Sequence, residues 1–140
     1  MIDNNQIDVT VRDAWKYSSA RRTQMESWSG DYGYYDAGGY LIDLGKYERY
    51  NQRLLDDIDQ LERFSWLDKA TRALFVDALT YNPSVNLFSY VKIVFEMPST
   101  GGIFPSYRIE HRQFLRVSSS FWLDFLFKSF TIDMRSVSGS

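Results

Sequence analysis

Residues 66 to 77, Trp66-Leu-Asp-Lys-Ala-Thr-Arg-Ala-Leu-Phe-Val-Asp77, can be wound as a helix or drawn out as a strand, and the fold turns on which. As a helix, the run scatters Leu67, Leu74 and Val76 over unrelated faces. As a strand from Thr71, it sets Arg72, Leu74, Val76 and Ala78 on one side and Ala73, Phe75, Asp77, Leu79 and Tyr81 on the other. Both sides are largely apolar, as in a strand covered on each face, and Asp68-Lys-Ala-Thr71 supplies the turn before it. The stretch therefore reads as turn and strand. Asp68 is expected to close the turn, and Asp77 to pair with a cation, Arg72 or Lys92. A buried pair of that kind fixes geometry more than it adds net stability.

Downstream, Asn82-Pro-Ser ends the strand, and Pro83 also removes Asn82 as a glycosylation acceptor. Residues 87 to 97, rich in β-branched and aromatic side chains, predict a second long strand, closed by Pro98 and the Gly101-Gly102 pair. Residues 103 to 117 predict its return strand, with the glycines as a hairpin turn. Upstream, Gly39-Tyr-Leu-Ile-Asp-Leu44 reads as a short strand. After Gly45, Tyr47, Tyr50, Leu54, Ile58 and Leu61 recur at spacings of three and four, which predicts an amphipathic helix from about Lys46 to Arg63. Its polar face carries Glu48, Arg49, Arg53, Asp56, Asp57 and Glu62 and is read as solvated. One helix and three or four strands joined by turns make an α+β fold, an antiparallel β-sheet packed with α-helices.

The rest of the chain is less regular. Residues 27 to 39, SWSGDYGYYDAGG, mix glycines with tyrosines and a tryptophan, as in loops packed by aromatic rings. Residues 1 to 13 are expected to be loosely held. Residues 118 to 140 hold an apolar run, Phe121 to Met134, followed by a polar tail. With Asp124, Lys128 and Asp133 inside it, the run is too short and too charged for a complete membrane span. It reads either as an amphipathic terminal helix docked on the fold or as the first turns of a membrane helix.

Composition narrows the chemistry. With 140 residues, 44% of them hydrophobic, the chain suits one domain with its own core. A formal charge of −2 with interspersed signs gives no field that would draw it onto nucleic acid. Cysteine is absent, which removes disulfides, thiolate nucleophiles and Cys-based zinc sites within this stretch. The single histidine, His111, has no second histidine to share a metal with and reads as a surface residue. Asp31-Tyr-Gly-Tyr-Tyr-Asp36 lacks the alternating acidic ligands of a calcium loop. No serine sits in a nucleophile elbow, and Ser99-Thr-Gly-Gly102 lacks the lysine and helix of a phosphate loop. Asp68 and Asp77 are the one carboxylate pair that could be tested for glycosidase chemistry. Their separation along an extended chain, roughly 20 to 30 Å, is far beyond what that mechanism uses.

The order of motifs resembles the extracellular domain of polycystins, the family that includes TRP-like cation channels. The matching runs are Ala14-Trp-Lys-Tyr17, Gly39 to Leu44, Trp66 to Asp77, Tyr81-Asn-Pro-Ser-Val-Asn-Leu-Phe88 and Pro98-Ser-Thr-Gly-Gly-Ile-Phe-Pro-Ser-Tyr107, so the resemblance covers a domain at residues 14 to 117. It implies a lid above a pore, four lids meeting in a ring of like or unlike subunits, and no catalysis, cofactor or metal. It implies structural and assembly roles for Trp66, Asp68, Arg72, Asp77, Tyr81, Asn82, Asn86, Gly101 and Gly102. The membrane would be reached through segments outside this chain, with the domain on the extracellular or luminal side. In that family the second transmembrane helix begins where Phe121 to Met134 lies, although Asp124 and Lys128 would each cost about 2 to 3 kcal/mol at mid-bilayer. The expectation is thus a fragment of a channel subunit concerned with assembly and gating. The rival is a soluble protein- or glycan-binding module of the same fold.

Overall fold

A computed structural model describes residues 9–23, 25–44, 52–113 and 130–135. In chain order the elements are α1 (Val9–Arg12), a 3-10 turn (Asp13–Trp15), β1 (Tyr17–Ser18), α2 (Ala20–Thr23), β2 (Trp28–Ser29), β3 (Tyr34–Tyr35), β4 (Gly39–Asp43), α3 (Gln52–Arg63), β5 (Ala73–Asn82), β6 (Leu87–Glu96), β7 (Phe104–Gln113) and β8 (Phe130–Arg135). Six strands form one antiparallel sheet in the order β1-β4-β8-β5-β6-β7, and β2 and β3 make a separate hairpin. The fold is β-rich with few helices, so the expected α+β label fits loosely. The strand reading holds from Ala73 to Asn82, two residues later than the expected start at Thr71, which belongs to the Asp68 turn, and β5 is an inner strand with partners on both edges.

Alternation along β5 sets up two unlike faces. On one, Leu74 joins Val11, Ala14, Ile42, Leu44, Leu61 and Trp66 in a core closed by α1 and α3. On the other, Ala73 and Phe75 pack with Val94 and Tyr35 beneath the β2–β3 hairpin. Burial of each large apolar side chain contributes about 1.5 to 3 kcal/mol, and neither core would be complete without segments far from β5 in sequence.

The end of α3 shows how Trp66 reaches its place. Ser65 adopts a left-handed φ of 51°. The Trp66 N–H bonds back to the Leu61 carbonyl at 2.9 Å and the Ser65 N–H to that of Glu62 at 3.0 Å. These two bonds satisfy helix-end carbonyls and turn Trp66 back over Leu61. The indole N–H then donates to the Ala14 carbonyl at 2.8 Å, tying the α3 end to the segment after α1.

Several expectations are corrected. Residues 130 to 135 form strand β8 between β4 and β5, where a terminal or membrane helix was expected. Phe130, Thr131 and Ile132 bring the aromatic and β-branched character of a strand, and the two neighbouring strands satisfy both backbone edges. Residues 121 to 129 lie outside the described residues. The expectation of a loosely held N-terminus fails at Val11, which is fully buried on α1; residues 1 to 8 are not described. Asp57, assigned to the solvated face of α3, is buried and has a partner. Ile58, assigned to the apolar face, is exposed, as is the neighbouring Leu55. Leu54 and Leu61 alone turn inward among the described apolar residues of α3, whose first turns, from Gly45 to Asn51, lie outside the described residues. Among the described residues, no helix is long and apolar enough to cross a membrane.

Candidate functional site

Two buried carboxylates on the sheet face beneath the aromatic hairpin organise the molecule. The antiparallel register puts Ala73 opposite Glu96, Phe75 opposite Val94 and Asp77 opposite Lys92. All six side chains therefore share a face.

Glu96 is 2% exposed. Its carboxylate accepts the Asp31 N–H at 3.1 Å, the Tyr32 N–H at 3.1 Å and the Tyr35 hydroxyl at 3.0 Å. Three donors from one hairpin, two in its turn and one on β3, thus converge on one charge that the sheet supplies. The turn closes by a Gly30 N–H to Gly33 carbonyl bond of 2.9 Å. A side chain at Gly30 would overlap the Glu96 carboxylate, so the close approach requires glycine. Rings hold the rest of the hairpin down. Trp28 and Tyr35 meet Phe75 edge-on at 6.3 and 6.0 Å, and Tyr32 lies 4.4 Å from Phe104. The Arg108 guanidinium covers the Trp28 ring at 4.5 Å.

Two same-face pairs along the strands, Asp77 and Lys92 are 8% and 6% exposed. Lys92 Nζ lies 3.5 Å from Asp77 Oδ1, and the Tyr90 hydroxyl donates to the same oxygen at 2.6 Å. The ammonium also sits 5.7 Å from the Phe75 ring centre and 5.8 Å from that of Tyr90. Asp77 takes Lys92, then, and not Arg72, from the two cations considered. Arg72 donates to the carbonyls of Lys69 and Thr71 at 2.8 and 3.1 Å and so stiffens the preceding turn.

These networks shift two phenols. Burial, followed by the hydrogen bond to Glu96, raises the Tyr35 pKa from 10.0 to about 12. Burial, followed by the bond to Asp77, raises that of Tyr90 as well. For a group whose folded pKa is raised, the stability it contributes is complete below the unfolded pKa and is lost as pH rises through the folded one. The fold should therefore hold to pH 10 and weaken between 10 and about 12. An alkaline absorbance titration, with Tyr35→Phe and Tyr90→Phe chains to assign the signal, should show Tyr35 and Tyr90 ionising late, together with loss of the sheet signal in circular dichroism. Ionisation of Tyr35 and Tyr90 below pH 10 in a chain that keeps its sheet would contradict these contacts.

The remaining candidates sit elsewhere. Asp68 Oδ1 accepts from the Ala70 N–H, the Thr71 N–H and the Thr71 hydroxyl at 2.9 to 3.1 Å, so it closes the turn before β5. Asp68 is exposed and Asp77 buried, and their networks share no partner. The two are not assembled as an acid and nucleophile pair. At the β5–β6 turn, the Tyr81 hydroxyl donates to Asn86 Oδ1 at 3.2 Å and its ring stacks on Phe88 at 4.4 Å. Asn82 Oδ1 accepts the Ser84 N–H at 3.0 Å, and Asn86 adopts a φ of 49°. Gly101 and Gly102 have φ of 98° and 94° in the β6–β7 turn, which ordinary side chains resist. His111 Nδ1 lies 2.9 Å from Ser89 Oγ on the exposed part of β7. Among the described residues, no three acidic or histidine side chains converge as metal ligands.

Sequence reading named Asp77 and Lys92 but missed Glu96, Tyr35 and Tyr90. Period-two alternation places Tyr90, Lys92, Val94 and Glu96 on one face of β6, which was a usable signal. Nothing in that alternation shows that residues 31, 32 and 35 supply the donors.

A family model described as Polycystin domain matches residues 4–115. Polycystin-2 of Danio rerio is 36% identical over 107 residues, covering 76% of this chain and 12% of that protein. Polycystin-2-like protein 2 of Homo sapiens is 32% identical over 117 residues, covering 84% of the chain and 18% of its own length. Polycystin-2-like protein 1 of Homo sapiens is 35% identical over 107 residues, covering 76% and 13% respectively. The chain spans less than a fifth of the length of these relatives. The match along most of its length shows that this chain belongs to the polycystin domain family.

Proposed function

We propose that the chain is the extracellular or luminal lid of a polycystin-type cation channel subunit, and that it contributes contacts for tetramer assembly and for gating. The observation that carries this reading is the family match over residues 4–115. The architecture suits a lid: Glu96 ties an aromatic hairpin to the sheet and the Asp77–Lys92 pair joins β5 to β6 within it, leaving a stiff body with exposed apolar turns. The β6–β7 turn ends in Ile103 and Phe104, both exposed. Contacts made there with a neighbouring subunit, if they differ between closed and open states, would shift the pore equilibrium by that difference and no more. In this reading Trp66, Asp68, Arg72 and Asp77 brace the central strand. Tyr81, Asn82 and Asn86 shape one end of the sheet, and Gly101 with Gly102 shape the turn that meets a neighbour.

The test is a chimaera in which residues 14 to 115 replace the matching part of Danio rerio polycystin-2. Subunit stoichiometry would be read by native mass measurement and currents by voltage clamp. Assembly into the parent's tetramer with altered gating is expected. A folded chimaera that stays monomeric in the membrane would overturn the proposal.

A further inference from the structure

Strand β7 is the outer strand of the sheet, paired among the described residues only with β6 along its full ten residues. Long, straight edges of this kind are templates for another strand. This one is exposed along most of its length and displays Tyr107 at 75% and Ile109 at 49% on one face.

We propose that β7 pairs antiparallel with β7 of a second copy of the chain, in the register that sets Ile109 opposite its own equivalent. The argument is charge complementarity. With Ile109 self-opposed, Arg108 meets the second copy's Glu110 twice, and Tyr107 meets His111 twice. Opposed residues in an antiparallel pair point to the same face, so the charges meet on one side and the apolar residues on the other. That apolar side continues Val91 and Ile93, which lie opposite Ile109 and Tyr107 on β6 and are half-buried. Centring the pair on Arg108 or on Glu110 would oppose like charges at the axis. Centring it on His111 again opposes Glu110 with Arg112 but leaves only residues 109 to 113 overlapped, against 105 to 113 for the Ile109 register. The contact joins two six-stranded sheets edge to edge.

Such a two-fold contact uses the same patch on both copies, whereas a four-fold ring needs two different patches. It therefore stands apart from the tetramer contacts proposed above and can fail without them. Because the chain has no cysteine, an introduced one reports unambiguously. In the whole chain, Ile109→Cys should form a disulfide-linked dimer under mild oxidation at least about tenfold faster than Ser99→Cys, an exposed control, because directly opposed Cα atoms lie within bridging distance. By sedimentation, Glu110→Arg and Arg108→Glu should each weaken the dimer about tenfold, and an equal mixture of the two should recover it, since the mixed pair restores both opposite-charge contacts. Arg108→Glu also removes the cation over Trp28, so Glu110→Arg and the cysteine pair stand as independent readings. Equal oxidation rates for the two cysteine variants, or a mixture no tighter than its components, would overturn the proposal. A wild-type chain that stays monomeric at about 0.1 mM would overturn self-pairing and leave the edge to an extended segment of another protein.

Discussion

Truncating Glu96 to alanine should cost the fold about 3 to 5 kcal/mol, because it strips the acceptor from two backbone N–H groups and a buried hydroxyl at once. The arithmetic follows from the contacts. Each of the three bonds ends on a charged oxygen; the buried Tyr35 hydroxyl would be left unsatisfied at about 1 to 3 kcal/mol, and the part-buried Asp31 and Tyr32 N–H groups would each lose a charge-assisted bond. Tyr35→Phe removes one of them and should cost about 1 kcal/mol. Glu96→Gln keeps the shape but turns an amide NH2 toward the turn, and its loss should fall between the two. Urea unfolding followed by circular dichroism checks the order E96A, E96Q, Y35F, with midpoints moving and slopes held constant. A Glu96→Ala chain as stable as the parent would mean that the hairpin does not rest on this carboxylate.

The second large effect is expected at Asp77. Asp77→Ala leaves the Lys92 ammonium, 6% exposed, without its carboxylate, and should cost about 3 to 5 kcal/mol. Replacing the pair together, Asp77→Leu with Lys92→Met, should return most of that loss, because two well-packed apolar side chains carry no desolvation penalty. The Tyr90 hydroxyl loses its acceptor in both variants, so recovery should stop about 1 kcal/mol short. The coupling in this cycle separates the two explanations of the pair. Equal losses for Asp77→Ala and the double replacement would show that shape at these positions matters and charge pairing does not.

The central strand and its hairpins were legible in the sequence because their signals are local. Period-two alternation from Ala73, the break at Asn82-Pro83 and the Gly101-Gly102 turn each lie within a few residues of what they determine. The buried ends of α3 and α1 were less so. Asp57 looked solvated because helical spacing alone cannot reveal an inward carboxylate, and Val11 looked peripheral because its partners Ile42, Leu61 and Trp66 lie 31 or more residues away. Strand β8 was misread for a related reason. Residues 130 to 135 follow an apolar run that favours a helical interpretation, and only their pairing with β4 and β5, settled far upstream, makes a strand of them. The Glu96 network was the hardest to foresee. Its acceptor and donors are separated by 61 to 65 residues, and two of the three donors are backbone groups that leave no mark on side-chain identity.

The proposed lid role depends on that network, since a hairpin that swings free of the sheet could not transmit contacts to a neighbour. Amide hydrogen exchange at Asp31 and Tyr32 tests it most directly. Both N–H groups should exchange as slowly as the ladder amides of Phe75 and Val94, through unfolding of the sheet, and Glu96→Gln should release them while that ladder stays protected. Exchange at Asp31 and Tyr32 in the parent chain at the rate of an open loop, with the ladder still protected, would contradict the account.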